Sequence, residues 1–321
     1  MNFKEITNIF KKVGVIPVVK MDDPEHAVPL ARALMRGGVE AIEITFRSAA
    51  AEESIRRISN EVPDILTGAG TVLNNQNAQQ AISAGANFLV SPGFNPELAR
   101  FSAEKKVSYF PGVNDPTATE QAIAMGFEVL KFFPAEASGG CKMLKSLKGP
   151  YQNIQYIPTG GINVANLNDY LSLPNVMAIG GSWLVKPELI QVEAYDEIER
   201  LASEAIELVL GFEFSHVGIN LNNEQEALDL STKTQQIFHF SQKIGNSSVF
   251  SSREFEWMKS PGLGRNGHIA IQTNNIIGAV HYLKKRGIQF KEETRKEKNG
   301  ELKIIYLDGD FGGFAFHLVQ K

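Results

Sequence analysis

Glu128-Val129-Leu130-Lys131-Phe132-Phe133-Pro134-Ala135-Glu136 is the stretch from which the chain is best read. Val129, Leu130, Phe132 and Phe133 leave no polar side, so as a strand this run is buried on both faces. A lysine inside it must either reach water at the strand end or sit desolvated. Desolvation disfavours the ammonium form and lowers a lysine pKa, by roughly 3–5 units when burial is complete. A neutral amine attacks ketones, which is what Schiff-base chemistry requires. Taken alone, a lysine at a strand end with its head in water is the commoner case. The flanking sequence decides between the two.

Strands of the same kind recur on both sides. They are Val15–Val19, Ala41–Arg47, Ile65–Thr71, Phe88–Gly93, Ser108–Gly112, Tyr156–Gly161 and Met177–Ser182. Each is followed by a segment of helical periodicity, as in His26–Arg36, stopped by Gly37-Gly38, and Glu52–Asn60. Alternating strands and helices call for a parallel sheet. Eight such units before residue 212 predict a (β/α)8 TIM barrel. A doubly wound open sheet is the other candidate. Lys20-Met21-Asp22-Asp23, not a glycine fingerprint, follows the first strand and counts against it.

In a barrel the site lies at the C-terminal ends of the strands. Glu43, Arg47, Thr71, Pro92, Lys131, Gly160, Gly161 and Ser182 all fall within or just after strands and should converge on one mouth. Strands seven and eight end in Thr159-Gly160-Gly161 and Gly180-Gly181-Ser182. Free backbone N–H groups there commonly bind phosphate, although a single glycine pair is usually only a turn.

The segment 1–212 carries the motifs Glu43-Ile44-Thr45, Gly68-Ala69-Gly70-Thr71-Val72-Leu73, Ser91-Pro92-Gly93 and Lys131–Glu136. They continue through Pro158-Thr159-Gly160-Gly161-Ile162 and Ile179-Gly180-Gly181-Ser182-Trp183-Leu184. Through these motifs the segment resembles the bacterial class I aldolases for 2-keto-3-deoxy-6-phosphogluconate and 4-hydroxy-2-oxoglutarate, and the resemblance runs through nearly its whole length. It implies Lys131 as the Schiff-base lysine and Glu43 as general acid/base. Arg47 and Thr71 would hold the pyruvyl carboxylate, Pro92 would line the site, and the Gly161/Ser182 region would hold the phosphate. A homotrimer and a reaction without metal or other cofactor are likewise implied. Phe46 and Ser48 stand where leucine and threonine are common, which bears on substrate shape and leaves the chemistry unchanged. A phosphosugar isomerase barrel is the competing reading, and it would need no nucleophilic lysine.

At 321 residues the chain has room for two domains, and its net charge of −4 gives no reason to expect nucleic-acid or anionic-membrane partners. Lys4, Glu5, Lys11 and Lys12 around short apolar groups read as an amphipathic helix, not a signal peptide, and no run has membrane-spanning length. Cys141 is the only cysteine, which fits a reducing, cytoplasmic setting. Five of the six histidines follow residue 212, so a second chemistry is expected there.

Residues 213–321 read as two βαβββ units in tandem. Phe214–Leu221 opens the first and Gly267–Ile271 the second, each carrying a histidine, with helices at Glu224–Phe238 and Ile276–Arg286. This resembles the vicinal-oxygen-chelate (glyoxalase-like) fold. That resemblance implies ligands from the first and last strand of each unit, here His216, Glu256, His268 and His317, the last standing where glutamate is commoner. Three histidines and a glutamate suit Zn²⁺, Ni²⁺, Fe²⁺ or Mn²⁺. A binding or oligomerisation module without catalysis is the alternative for this region, and His239 and His281 receive no role.

Overall fold

The computed structural model describes residues 1–321, which divide into two compact units, Met1–Val209 and Leu210–Lys321. The first begins with a helix, Phe3–Val13. Asn2 and Glu5 close a reciprocal capping box at its start, and Gly14 in the left-handed region ends it. Strands then follow in order: β1 (Val15–Val19), β2 (Ala41–Thr45), β3 (Leu66–Gly70), β4 (Phe88–Val90), β5 (Ser108–Phe110), β6 (Gly112–Val113), β7 (Val129–Phe132), β8 (Gln155–Pro158) and β9 (Ile179–Gly181).

Every pairing among them is parallel, and the pairing runs round a closed ring. β1 lies between β2 and β9, and β2, β3, β4 and β5 follow in turn. β6 joins β7, β7 joins β8, and a Thr159–Gly180 bridge links β8 to β9. β5 and β6 are one barrel strand interrupted at Pro111, whose ring removes a ladder N–H while its carbonyl still accepts from Lys131 N–H at 2.9 Å. The unit is therefore the eight-stranded barrel that the periodicity predicts. The strands are shorter than their apolar runs because the mouth residues peel away into loops.

The base of the barrel is plugged. Phe10 of the first helix is buried against Phe88 and Phe110, with ring centroids 5.1 and 5.3 Å away. Ile16, Val90 and Ile157 pack in the same cluster. An amphipathic helix that supplies an aromatic stopper leaves the C-terminal mouth as the open end.

The second unit is one eight-stranded sheet. Its strands are β10 (Glu213–Asn220), β11 (Gln242–Ile244), β12 (Ser248–Ser251), β13 (Phe255–Met258), β14 (Gly267–Thr273), β15 (Phe290–Lys298), β16 (Glu301–Leu307) and β17 (Phe314–Gln320). Their spatial order is β11-β12-β13-β10-β14-β17-β16-β15. β10 runs parallel to β13 and β14 parallel to β17, while β10 and β14 pair antiparallel at the centre. The two βαβββ halves thus meet along their first strands, and each half has its own helix, Glu224–Phe238 or Ile276–Lys285.

Candidate active site and histidine cluster

Glu43 on β2 and Lys131 on β7 meet inside the barrel, 4 % and 6 % exposed. Lys131 Nζ donates to Glu43 Oε1 at 3.0 Å and lies 3.4 Å from Oε2. Both strands are buried at every position, so neither head group can snorkel to water. The ring of Phe133 stands 5.5 Å from the ammonium and covers another side of it. A carboxylate and an amine enclosed this way can exchange a proton without solvent, which is the first need of an amine nucleophile.

Glycines make the room. A Cβ at Gly70 would stand 2.0 Å from Glu43 Oε1, and one at Gly112, in register with Lys131, would stand 2.2 Å from the Pro92 carbonyl oxygen. Thr71, the next residue after β3, has φ 53, a region that β-branched residues rarely enter. Strain of this sort persists where surrounding structure over-determines it, commonly at binding sites. Arg47 Nε donates to Thr45 Oγ1 at 3.1 Å, and Thr45 Oγ1 donates to the Val19 carbonyl at 2.8 Å, tying the arginine to the end of β1. A cleft of about 280 Å³ runs along Pro92, Gly112, Val113, Phe133 and Pro134.

At the ends of β8 and β9, Gly160 and Gly161 take φ of 105 and 82, and the Gly161 N–H makes no hydrogen bond within the chain. Thr159 Oγ1 is buried without a partner, and a Cβ at Gly180 would meet it at 2.2 Å. Gly181 precedes Ser182, which opens a short 3-10 turn, Trp183–Val185.

In the second unit, His216 (β10), His268 (β14) and His317 (β17) come together, and Glu256 (β13) reaches two of them, His216 and His268. One nitrogen from each imidazole lies within 4.8 Å of the others. Glu256 Oε2 is 3.0 Å from His268 Nε2 and 3.2 Å from His216 Nε2, and Ser248 Oγ donates to Oε1 at 2.6 Å. Burial alone would raise the Glu256 carboxyl, but hydrogen bonds from His216, His268 and Ser248 overcome it and hold it well below the usual range. Burial, with His268 and His216 adding to it, pushes the His317 imidazole down to about 3. Both ring nitrogens of His317 are buried and unpartnered. A neutral imidazole with one unused nitrogen lone pair, beside two more imidazoles and a carboxylate, is a donor set suited to a divalent transition metal.

Several contributors escaped the sequence reading. Tyr306 lies in register with His317, ring centroids 4.6 Å apart, and burial followed by the Glu256 charge pushes its phenol up to about 12. Gly218 leaves the space His268 fills, since a Cβ there would meet the ring at 2.1 Å. Only cross-strand register brings these together. Gly70 lies within the Gly68–Leu73 motif, but nothing in that motif shows its steric role toward Glu43. His239 ends helix Glu224–Phe238 with φ 57 and serves as its cap.

The family model described as "KDPG and KHG aldolase" matches residues 6–201. The 2-dehydro-3-deoxy-phosphogluconate aldolase of Haemophilus influenzae is 45% identical over 206 residues, 64% of this chain and 97% of the relative. The KHG/KDPG aldolase of Escherichia coli K12 is 44% identical over 193 residues, 60% and 91%. Among solved structures, the KDPG aldolase of Legionella pneumophila superposes with a TM-score of 0.61 at 38% identity, covering 62% of this chain and 97% of that one. It holds pyruvate as a covalent carbinolamine intermediate. The 2-keto-3-deoxy-6-phosphogluconate aldolase of Zymomonas mobilis, solved with 3-phosphoglycerate, gives 0.59 at 36% identity, covering 64% and 96%.

Proposed function

Because the chain belongs to the KDPG and KHG aldolase family, we propose that its barrel cleaves 2-dehydro-3-deoxy-6-phosphogluconate to pyruvate and glyceraldehyde 3-phosphate through a Schiff base on Lys131. The observation that carries this assignment is the enclosed Lys131–Glu43 pair at 3.0 Å. 4-Hydroxy-2-oxoglutarate, cleaved to pyruvate and glyoxylate, is the second substrate. Lys131, having passed a proton to Glu43, attacks the C2 ketone. The carbinolamine hydroxyl leaves as water with a proton from Glu43, giving the iminium. Glu43, again a carboxylate, takes the C4 hydroxyl proton as the C3–C4 bond breaks, the aldehyde is released, and the electron pair moves into an enamine. Protonation at C3 and addition of water return pyruvate and free Lys131. A positioned acid/base of this kind contributes about 10²–10⁴-fold in rate.

Arg47 and the strained Thr71 are assigned to the carboxylate, Pro92 to the wall, and Thr159, Gly160, Gly161, Gly181 and Ser182 to the phosphate end. The unpaired Gly161 N–H and the orphan Thr159 hydroxyl support the last of these. We further place residues 1–212 and 213–321 as the two domains and a homotrimer through the barrel as the assembly, with a cytoplasmic location that suits the single half-buried Cys141. No helix is long and apolar enough to cross a membrane.

For residues 213–321 the reading is a glyoxalase-like domain with a divalent metal held by His216, Glu256, His268 and His317, which would supply Lewis-acid chemistry when bound. The unpartnered His317 nitrogens favour it over a metal-free scaffold.

Two experiments test the barrel assignments. Pyruvate with borohydride should inactivate the protein and add mass at Lys131, and Lys131→Met should abolish both labelling and cleavage. Label on another lysine would refute the Schiff-base assignment. Ser182→Asp should depress turnover of the phosphorylated substrate far more than that of 4-hydroxy-2-oxoglutarate, and equal losses would move the phosphate elsewhere.

A further inference from the structure

Glu136 and Tyr170 take no part in the chemistry above, yet they bear directly on the glycine loop after β8. Ala135 N–H donates to the Thr159 carbonyl at 2.8 Å and Glu136 N–H to the Gly160 carbonyl at 3.1 Å. The segment after the lysine strand is thereby laced to the loop. The stem of Glu136 runs along Gly161, whose Cβ, if present, would stand 2.5 Å from Glu136 Cγ and 4.0 Å from Cδ. Its carboxylate turns the other way. Oε1 accepts from the hydroxyl of Tyr170 and lies 3.2 Å from where a Gly140 Cβ would be. Tyr170 itself is 1% exposed, whereas Glu136 is an exposed residue. Burial, then the hydrogen bond to Glu136 and its charge, push the Tyr170 phenol above its ordinary range, so it stays protonated and remains a donor.

An exposed glutamate whose stem lies against an anion loop is a hazard to that loop. Swung about its own side-chain torsions, its carboxylate would repel a phosphate and compete for the same N–H groups. We propose that Tyr170 is a positioning residue that pins the Glu136 carboxylate away from the Gly160-Gly161 loop and so keeps the loop open to the substrate phosphate. The inference rests on the phosphate placement proposed above and adds the pair that maintains it. It makes preference for phosphorylated over unphosphorylated substrate a property of two residues outside the phosphate contacts.

The test uses the full chain and three variants: Tyr170→Phe, Glu136→Gln, and the two combined. Tyr170→Phe should raise KM for the phosphorylated substrate by about tenfold while changing kcat by no more than about twofold. KM for 4-hydroxy-2-oxoglutarate should stay put. Adding Glu136→Gln to Tyr170→Phe should restore KM for the phosphorylated substrate, because the neutral amide removes the repulsion. Equal KM changes for both substrates, or no recovery in the double variant, would overturn the inference and leave Tyr170 as a packing residue. Ser182→Asp separates the two layers. If it discriminates between the substrates while Tyr170→Phe does not, the pinning alone fails. If Ser182→Asp strikes both substrates alike, the phosphate placement fails and the inference goes with it.

Discussion

Between Gly70 and Glu43 a missing side chain decides where a carboxylate can sit. Oε1 occupies space that any Cβ on Gly70 would invade, at 2.0 Å. The obstructed atom is the far end of a flexible side chain, and Gly70 does not have positive φ. Gly70→Ala should therefore fold and displace the carboxylate instead of breaking the strand. Removing the proposed acid/base from reach of the amine should lower kcat by about 10²-fold or more while the thermal midpoint moves little. Full activity in this variant would show that Glu43 works from another rotamer, or not at all. Gly218 stands in the same relation to His268. For that cluster the expectation is up to one divalent transition metal per chain by elemental mass spectrometry. His268→Ala should lose the metal and leave borohydride trapping at Lys131 intact. Protein that takes up no added Zn²⁺, Ni²⁺, Mn²⁺ or Fe²⁺ would make the cluster a buried hydrogen-bond network.

Among the elements, the first helix supplies the floor on which the Lys131–Glu43 pair rests. Phe10 fills the barrel floor beneath the Lys131–Glu43 pair, packed on Phe88 and Phe110. Phe10→Ala should cost about 3–5 kcal/mol by leaving a cavity in a buried aromatic cluster. It should also let water reach the pair from below. Chemical denaturation checks the first, and loss of kcat at temperatures where the variant is still folded checks the second. An unchanged midpoint would mean that the cluster closes over the gap. The helix and the strand alternation were legible in the sequence because amphipathic and buried periodicities are local. Lys131 could be singled out because a charge inside an apolar strand is locally anomalous. The interruption at Pro111 was harder to see, since Tyr109-Phe110-Pro111-Gly112 reads as one run. Thr45 joining Arg47 to the Val19 carbonyl, Glu136 lying along Gly161 and Tyr306 facing His317 were not legible. Each depends on how neighbouring strands and loops are set against one another, and no local pattern encodes that register.

For the molecule as a whole, the question is whether the barrel needs the last third of the chain. The family match ends at residue 201 and the first compact unit at Val209. The barrel's strand ring is closed within that unit, with its own floor of Phe10, Phe88 and Phe110. The second unit has a separate core around Ala227, Val249 and Trp257. A chain ending at Phe212 loses the hydrogen bonds that the Leu210 carbonyl accepts from the Thr273 hydroxyl and the Asn274 N–H. That carbonyl lies at the end of a helix, where water can replace such partners at little net cost. Residues 1–212 should therefore be soluble, unfold cooperatively and cleave the phosphorylated substrate with kcat/KM within a few-fold of the full chain. Circular dichroism melts and a coupled pyruvate assay on the purified fragment decide it. A fragment that folds but loses activity would make the last third part of the catalytic apparatus. One that fails to fold would mean that the barrel draws part of its stability from residues 213–321.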